Sequence, residues 1–451
     1  MGDFVHSVEL DKEKCIGCTD CIKRCPTEAI RVRNGKAVIS GEKCIDCGLC
    51  IKVCRQRAKK ATTQNMSIIR RYPYKVALPA PSLYAQFKNL SNVNVILTAL
   101  KRLGFDDVCE VASGAQMVTE ATKKYISENT GARPLVSSAC PAVVRLIVMR
   151  FPSLIENILP IIAPVEASAA AVREYVMSLG VPRDDIGIFF ISPCAAKCSY
   201  AINPIGSERS DIDGVISMQD IFMSMRNGIN GLTDVEKLAQ SGVTGVDWAA
   251  AGGESSGLAI ENAIAVDGVE NVIQVLEEVE NGQLQDVDYI EGLACTGGCI
   301  GGPLTVTNSF VARNRLRRVQ REMRGMSPEE RRPLPLSFKH VDFFMRKKIE
   351  PAPAPKLDED MTAAIGKLEK INRIYAELPC IDCGSCGSPT CRAFAEDIVR
   401  GQANIEDCIF MLRNRVRYLA EEMLDLSAKL PQTFSQSAPF VAQPAVRQAK
   451  R

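Results

Sequence analysis

At 451 residues, 46% of them apolar, the chain is long enough for roughly two to four domains and a sizeable core. Its 55 basic and 53 acidic residues leave a net charge of +2, which excludes the strongly basic surface that a nucleic-acid or anionic-membrane partner requires. Residues 1–11 have no basic-then-apolar leader, and no apolar run approaches the ~18–20 residues of a bilayer span. A cytoplasmic protein is therefore expected.

In a reducing compartment nineteen cysteines read as metal ligands rather than disulfides. Sixteen fall into three sets, and only Cys109, Cys198 and Cys380 are left over.

The first set fills residues 1–66, a module with an internal repeat. Cys15, Cys18, Cys21 and Cys25 form a C-x2-C-x2-C-x3-C run, and Cys44, Cys47, Cys50 and Cys54 repeat it. This is the two-cluster bacterial ferredoxin spacing, in which the fourth cysteine of each run serves the other cluster. Cys15, Cys18, Cys21 and Cys54 are expected to hold one 4Fe–4S cluster. Cys25, Cys44, Cys47 and Cys50 are expected to hold the second. Structural zinc is the alternative for paired C-x2-C units, and two complete four-cysteine runs argue against it. Pro26 follows the first run and Arg55 the second, so a positive charge beside that cluster would raise its potential. Between the runs, residues 29–39 alternate around Asn34-Gly35, which predicts a β-hairpin.

Residues 67–325 read as an α/β domain. Short apolar runs at 74–79, 133–137, 187–192 and 214–217 predict parallel strands, with helices over 115–129 and 167–179 between them. Residues 313–324 form a basic helical stretch, read as a solvated face. Residues 326–360 read as a Pro-rich linker: Pro328, Pro333 and Pro335, then the extended Pro351-Ala352-Pro353-Ala354-Pro355. Residues 361–430 are expected to form a small helical domain holding the third cysteine set, with a helix over 405–430. Residues 431–451, rich in Ser, Gln, Ala and Pro, read as a disordered tail.

The second cysteine set is scattered through the α/β domain. Ser137-Ser138-Ala139-Cys140-Pro141, Ser192-Pro193-Cys194-Ala195-Ala196-Lys197 and Leu293-Ala294-Cys295-Thr296-Gly297-Gly298-Cys299-Ile300-Gly301-Gly302-Pro303 occur in order. Together they resemble the three signatures of the FeFe (iron-only) hydrogenases, over roughly residues 1–320. The resemblance implies a large hydrogenase domain with an H-cluster, a 4Fe–4S cubane joined to a two-iron subcluster carrying CO and cyanide. By position, Cys140, Cys194, Cys295 and Cys299 would hold the cubane, with Cys299 as the bridge. Lys197 would hydrogen-bond a cyanide. Gly297, Gly298, Gly301 and Gly302 would let backbone approach the cluster, and Pro193 and Pro141 would stiffen the adjoining loops.

The departures from the family pattern bear on turnover. Ala139 stands where a cysteine normally relays protons, and alanine can neither donate nor accept one. Further relay positions map to Glu120, Lys123 and Leu159, of which the last two break the path. Two methionines near the subcluster appear as Ser192 and Leu293. Turnover should fall by orders of magnitude, since a positioned proton donor contributes about 10²–10⁴-fold. Cys198 could substitute for the lost relay or be an inert core thiol; Cys109 reads as core.

The third set is Cys383, Cys386, Cys391 and Cys408. With its flanking residues 378–395 it resembles the four-cysteine 4Fe–4S domain of corrinoid iron–sulfur proteins. Cys380 is spare on that reading, or replaces Cys408 in a rival one. Sensory-type FeFe hydrogenases carry such an appendix.

The whole is thus expected to be a multidomain α/β protein: a ferredoxin-like module, an H-cluster domain and a helical 4Fe–4S domain. It is expected to interconvert protons, electrons and H2 slowly. It would exchange electrons with ferredoxin or another redox partner, and report to a signalling protein through the helix at 405–430. A homodimer is open. The alternatives are a bulk ferredoxin-dependent hydrogenase and a non-catalytic electron-transfer or scaffold protein with an ordinary cubane.

Overall fold

The computed structural model describes residues 6–88, 90, 92–128, 131–352 and 357–429. The chain divides into two compact units, Met1–Lys356 and Leu357–Arg451. The expected tail at 431–451 lies outside the described residues.

The first unit begins with strands β1 (Val8–Leu10), β2 (Ile30–Arg33), β3 (Lys36–Ile39) and β4 (Lys59–Ala61). β1 pairs antiparallel with β4, and β2 with β3. The second pair is the expected hairpin. Asn34 and Gly35 both take positive φ, 51° and 70°, the backbone hand that lets a two-residue turn follow strand twist. Buried Ile22, Ile30, Ala37 and Ala58 form a core with Cys15 and Cys21, against which Cys25, Cys50 and Cys54 pack. So few apolar side chains make a small core, and thiols take up much of it.

The α/β part follows as β5 (Tyr74–Pro79), β6 (Asp107–Val108), β7 (Leu135–Val136), β8 (Ile186–Ser192), β9 (Gly214–Ser217), β10 (Ala263–Asp267) and β11 (Tyr289–Leu293). Two parallel sheets result, with strand orders β6-β5-β8-β9 and β10-β11-β7. Every residue of β8 is buried, which suits its unbroken apolar run to a strand covered on both faces. Helices Val111–Glu128 and Pro164–Ser178 appear where helices are expected. The basic stretch lies in the helix Ser309–Gly325, which buries Ala312, Leu316, Val319 and Met323 on one face. The ends of β5, β7, β8 and β11 lead into Ala80, Cys140, Cys194 and Cys295. All four carboxyl ends therefore converge, the usual place for a site in parallel sheets.

Much of the expected linker is packed structure. Arg332 forks onto the Asp107 carboxylate at 2.7 and 3.1 Å, and its backbone N–H donates to the Ala239 carbonyl. Phe338 is buried in the largest core cluster. Phe344 bridges Ile161, and the Ala352 N–H donates to the Val148 carbonyl. Short 3-10 turns at Pro328–Glu330 and Leu336–His340 interrupt this segment, and Phe338 and Arg332 bind it to the α/β surface. Of the Pro-Ala repeat, residues 353–356 lie outside the described residues.

The second unit holds helices Met361–Glu377, Cys391–Val399 and Ile409–Ala428 around a core of Ile371, Leu378, Phe394 and Ala395.

Candidate metal centres

In the amino-terminal module the structure brings together the crossed set expected from spacing. Cys25, Cys44, Cys47 and Cys50 line one small cavity. Burial pushes the Cys50 thiol up to about 12, with Cys44 and Cys47 also raised, so these thiols are protonated without metal and must release protons to ligate iron. Backbone N–H groups of Ala29, Ala37 and Ala58 donate to the sulfurs of Cys25, Cys15 and Cys54 at 3.2–3.4 Å. Lys59 Nζ is buried without a hydrogen-bond partner, close enough to Cys21 and Cys50 to favour their thiolates. An orphaned ammonium beside converging thiols fits an anionic cluster. Arg55, the charge singled out in the sequence, is 89% exposed and turned toward Asp20, where water screens it.

The central cavity, of about 100 Å³, sits at the converging strand ends. Cys140, Cys194 and Cys299 line it, with Ala139, Pro193, Lys197, Trp248, Glu254, Glu291 and Leu293. Cys295, half-buried, lies within electrostatic reach of the other three. Burial pushes Cys194 up to about 11 and Cys299 to about 12. Lys197 Nζ is buried with no hydrogen-bond partner and lies 4.4 Å from the Tyr200 ring centroid. Burial lowers its pKa, against the opposing pull of Cys194 and Glu166. Four thiols and an unsatisfied ammonium fit an anionic iron–sulfur group in this cavity.

The glycines of the third motif have a nearer reason than cluster approach. A Cβ on Gly302 would stand 2.3 Å from the Pro193 carbonyl oxygen, and one on Gly298 would stand 2.6 Å from the Ala251 nitrogen. Protein backbone already occupies the space, so Gly302 packs the third motif onto the second and Gly298 packs it onto residues 250–251. Gly297 and Gly301 likewise meet Ser309 and Thr296.

The amino-terminal module is fastened to this site. Arg145, on the helix that starts at Pro141, pairs with buried Asp46 at 2.9 Å. Ser199 Oγ donates to the same carboxylate at 2.6 Å, and Ser7 Oγ donates to the Ala195 carbonyl at 2.7 Å. Lys52 Nζ donates to the Gly301 carbonyl. Cys47 and Cys295 both line one further cavity of about 250 Å³.

Two buried carboxyls on the central wall are absent from the sequence reading. Glu254 accepts hydrogen bonds from Ser137 Oγ at 2.8 Å and the Tyr289 hydroxyl at 2.5 Å. Burial, and then the neighbouring Glu291, push its pKa up to about 8. Glu291, also raised by burial, accepts from the backbone of Gly252 and from the backbone and hydroxyl of Ser255. A signal for Glu291 was present: it is the one charge inside the otherwise uncharged run 289–293. The mapped relay positions lie elsewhere. Glu120 and Lys123 pair with each other at 3.0 Å, 67% and 40% exposed, and Leu159 is core. Ser192 hydrogen-bonds within its own loop, to Cys194. Cys198 is buried in the main core with its sulfur toward the Cys194 carbonyl, and Cys109 is core as expected.

In the second unit Cys391 and Cys408 are buried in the core, with Cys386 packed against it; Cys383 is exposed. Cys386 senses Cys408 and Cys383 electrostatically. The Cys380 sulfur instead donates to the Leu378 and Tyr375 carbonyls.

A family profile described as the iron only hydrogenase large subunit, C-terminal domain, matches residues 74–256 and 229–303. A 4Fe-4S dicluster domain matches residues 7–55, and a putative Fe-S cluster domain residues 378–410. Iron hydrogenase 1 of Clostridium pasteurianum is 27% identical over 316 residues, 63% of this chain and 54% of that one. The NADP-reducing hydrogenase subunit HndD of Solidesulfovibrio fructosivorans is 27% identical over 256 residues, 45% of this chain and 44% of that one. The chain thus spans about half the length of these relatives. The corrinoid/iron-sulfur protein large subunit of Moorella thermoacetica is 41% identical over 58 residues, 13% of this chain and 12% of that one.

Proposed function

The chain belongs to the iron-only hydrogenase large-subunit family, and from that premise we propose that it runs the reversible reaction 2H⁺ + 2e⁻ ⇌ H2 slowly, sensing H2 or redox state for a signalling partner. Cys140, Cys194, Cys295 and Cys299 would hold the cubane of the H-cluster, with Cys299 as bridge. When bound, the two-iron part supplies the making and breaking of the H–H bond. Lys197 offers it a buried ammonium donor, and Ala139, Pro193 and Leu293 keep the cavity wall apolar. Two further clusters on Cys15, Cys18, Cys21 and Cys54, and on Cys25, Cys44, Cys47 and Cys50, would carry electrons. The shared cavity between Cys47 and Cys295 supports the inner end of that route, and exposed Cys18 its outer end, where ferredoxin or another redox protein would dock. A fourth cluster on Cys383, Cys386, Cys391 and Cys408 would report redox state to the signalling partner.

The observation that carries the slow-turnover reading is the cavity wall at Ala139. No proton carrier stands there, and the protonated carboxyl on the same wall is Glu254, joined through Ser137 to the Ala139 N–H. Glu254 and Glu291 would pass protons toward half-buried Ser255. In matured protein Ala139→Cys should raise H2 turnover without reaching a bulk enzyme's rate, and Glu254→Gln should lower it about 10²-fold. Infrared CO and cyanide stretches check that the subcluster is installed in each variant. Unchanged turnover in Glu254→Gln would remove Glu254 from the path, and missing infrared bands in the native protein would leave only an electron-transfer protein.

A further inference from the structure

The helix Ile409–Ala428 carries a repeat that its own unit leaves unused. Ile409, Leu412, Val416, Leu419, Met423 and Leu426 alternate in steps of three and four, the a/d spacing of a coiled-coil seam. They are 42–72% exposed. On an ideal helix all six fall within an arc of about 100°. Met411, which packs on the unit's own core, points about 110° away from the arc's centre. A continuous apolar stripe on a helix of 20 residues marks an interaction surface.

We propose that a second copy of this chain covers the seam, as an antiparallel two-stranded coiled coil. The seam is self-complementary when reversed about the point between Arg417 and Tyr418. Ile409 then faces the partner's Leu426, Leu412 the partner's Met423, and Val416 the partner's Leu419. Charge selects the direction. Arg415 and Glu422 occupy the g positions on one flank. In an antiparallel pair the g flanks meet, so Arg415 of each copy stands beside the partner's Glu422, twice by symmetry. In a parallel pair g faces e, and Arg415 and Glu422 would meet only the partner's Ala420 and the partner's Ser427. Two copies so joined hold the chain ends that follow Cys408 at opposite ends of the bundle, and any reporting step then acts on a dimer. This arrangement does not depend on the hydrogenase reading.

Sedimentation equilibrium of the anaerobically prepared full chain, over a micromolar concentration series, tests it. A monomer–dimer equilibrium is expected. Val416→Asp combined with Leu419→Asp should abolish the dimer and leave iron content and cluster absorption unchanged, since both side chains are exposed. Arg415→Glu alone, or Glu422→Arg alone, should weaken the dimer roughly three- to thirtyfold. The two together should restore it, because the opposite charges still face. A chain monomeric throughout, a dimer indifferent to the seam substitutions, or a double swap as weak as either single one would each overturn the proposal.

Discussion

Burial of Glu254 carries a cost that depends on pH. Its carboxyl is raised from 4.5 to about 8, so the folded chain keeps a proton that the unfolded chain releases. The stability it contributes is full below about pH 4.5 and is lost as pH rises through about 8. Glu291 is raised by burial as well and acts in the same direction. Glutamine keeps the size and removes the titration. Denaturation of Glu254→Gln and native protein across this range should show the variant gaining on the native as pH rises, by ~1.4 kcal/mol for each pK unit spanned. A stability difference that does not change with pH would mean that Glu254 is not held protonated.

At the scale of elements, the contact between the amino-terminal module and the α/β domain rests on a buried ion pair. Arg145 is 7% exposed and Asp46 0%. Breaking such a pair costs about 3–5 kcal/mol, because the surviving charge stays buried. Arg145→Met should therefore destabilise the first unit by that amount. Adding Asp46→Asn should recover part of the loss, since neither buried charge then remains. The same double-mutant cycle, read by the rate at which H2 reduces the amino-terminal clusters, tests whether docking controls electron flow. The pair was not legible in the sequence, because Asp46 and Arg145 lie 99 residues apart: Asp46 is a spacer position inside the second cysteine run, and Arg145 lies outside every motif. What was legible had local cause. The 29–39 hairpin was marked by Asn34-Gly35, and β5 and β9 have the bounds their apolar runs gave. β7 proved shorter than its run, because only Leu135 and Val136 pair with β11. β10 and β11 went unseen. In β11 a glutamate and a glycine interrupt the apolar pattern, and only the folded sheet shows that Glu291 turns into the cavity. Cys25, Cys44, Cys47 and Cys50 share one cavity, in line with the spacing of their two runs, and Cys140, Cys194 and Cys299, placed together by resemblance alone, share another. The relay positions carried over by counting fall elsewhere, with Glu120 and Lys123 paired on a helix face.

For the whole molecule, the unit boundary decides which part of the chain the proposed hydrogen chemistry would need. The first unit ends at Lys356, and residues 326–352 belong to it through Phe338, the Arg332–Asp107 pair and the Phe344 bridge. A chain ending at Lys356 keeps every one of these contacts and all twelve amino-terminal and central cysteines proposed as ligands. It should fold, oxidise H2 with an artificial acceptor at the full-length rate, and carry about four fewer irons than the roughly sixteen cluster irons expected of four cubanes. A chain ending at Gly325 has the same ligands but uncovers the core where Phe338 sits and leaves Asp107, only 13% exposed, without its guanidinium. Losing a buried aromatic costs about 3–5 kcal/mol by itself. That shorter chain should therefore precipitate or lose its central cluster. If instead both truncations behave alike, residues 326–352 are the passive connector that their prolines suggest. If the Lys356 truncation loses H2 oxidation with partner binding intact, the carboxy-terminal cluster is the main electron exit, and its reporting role must be given up.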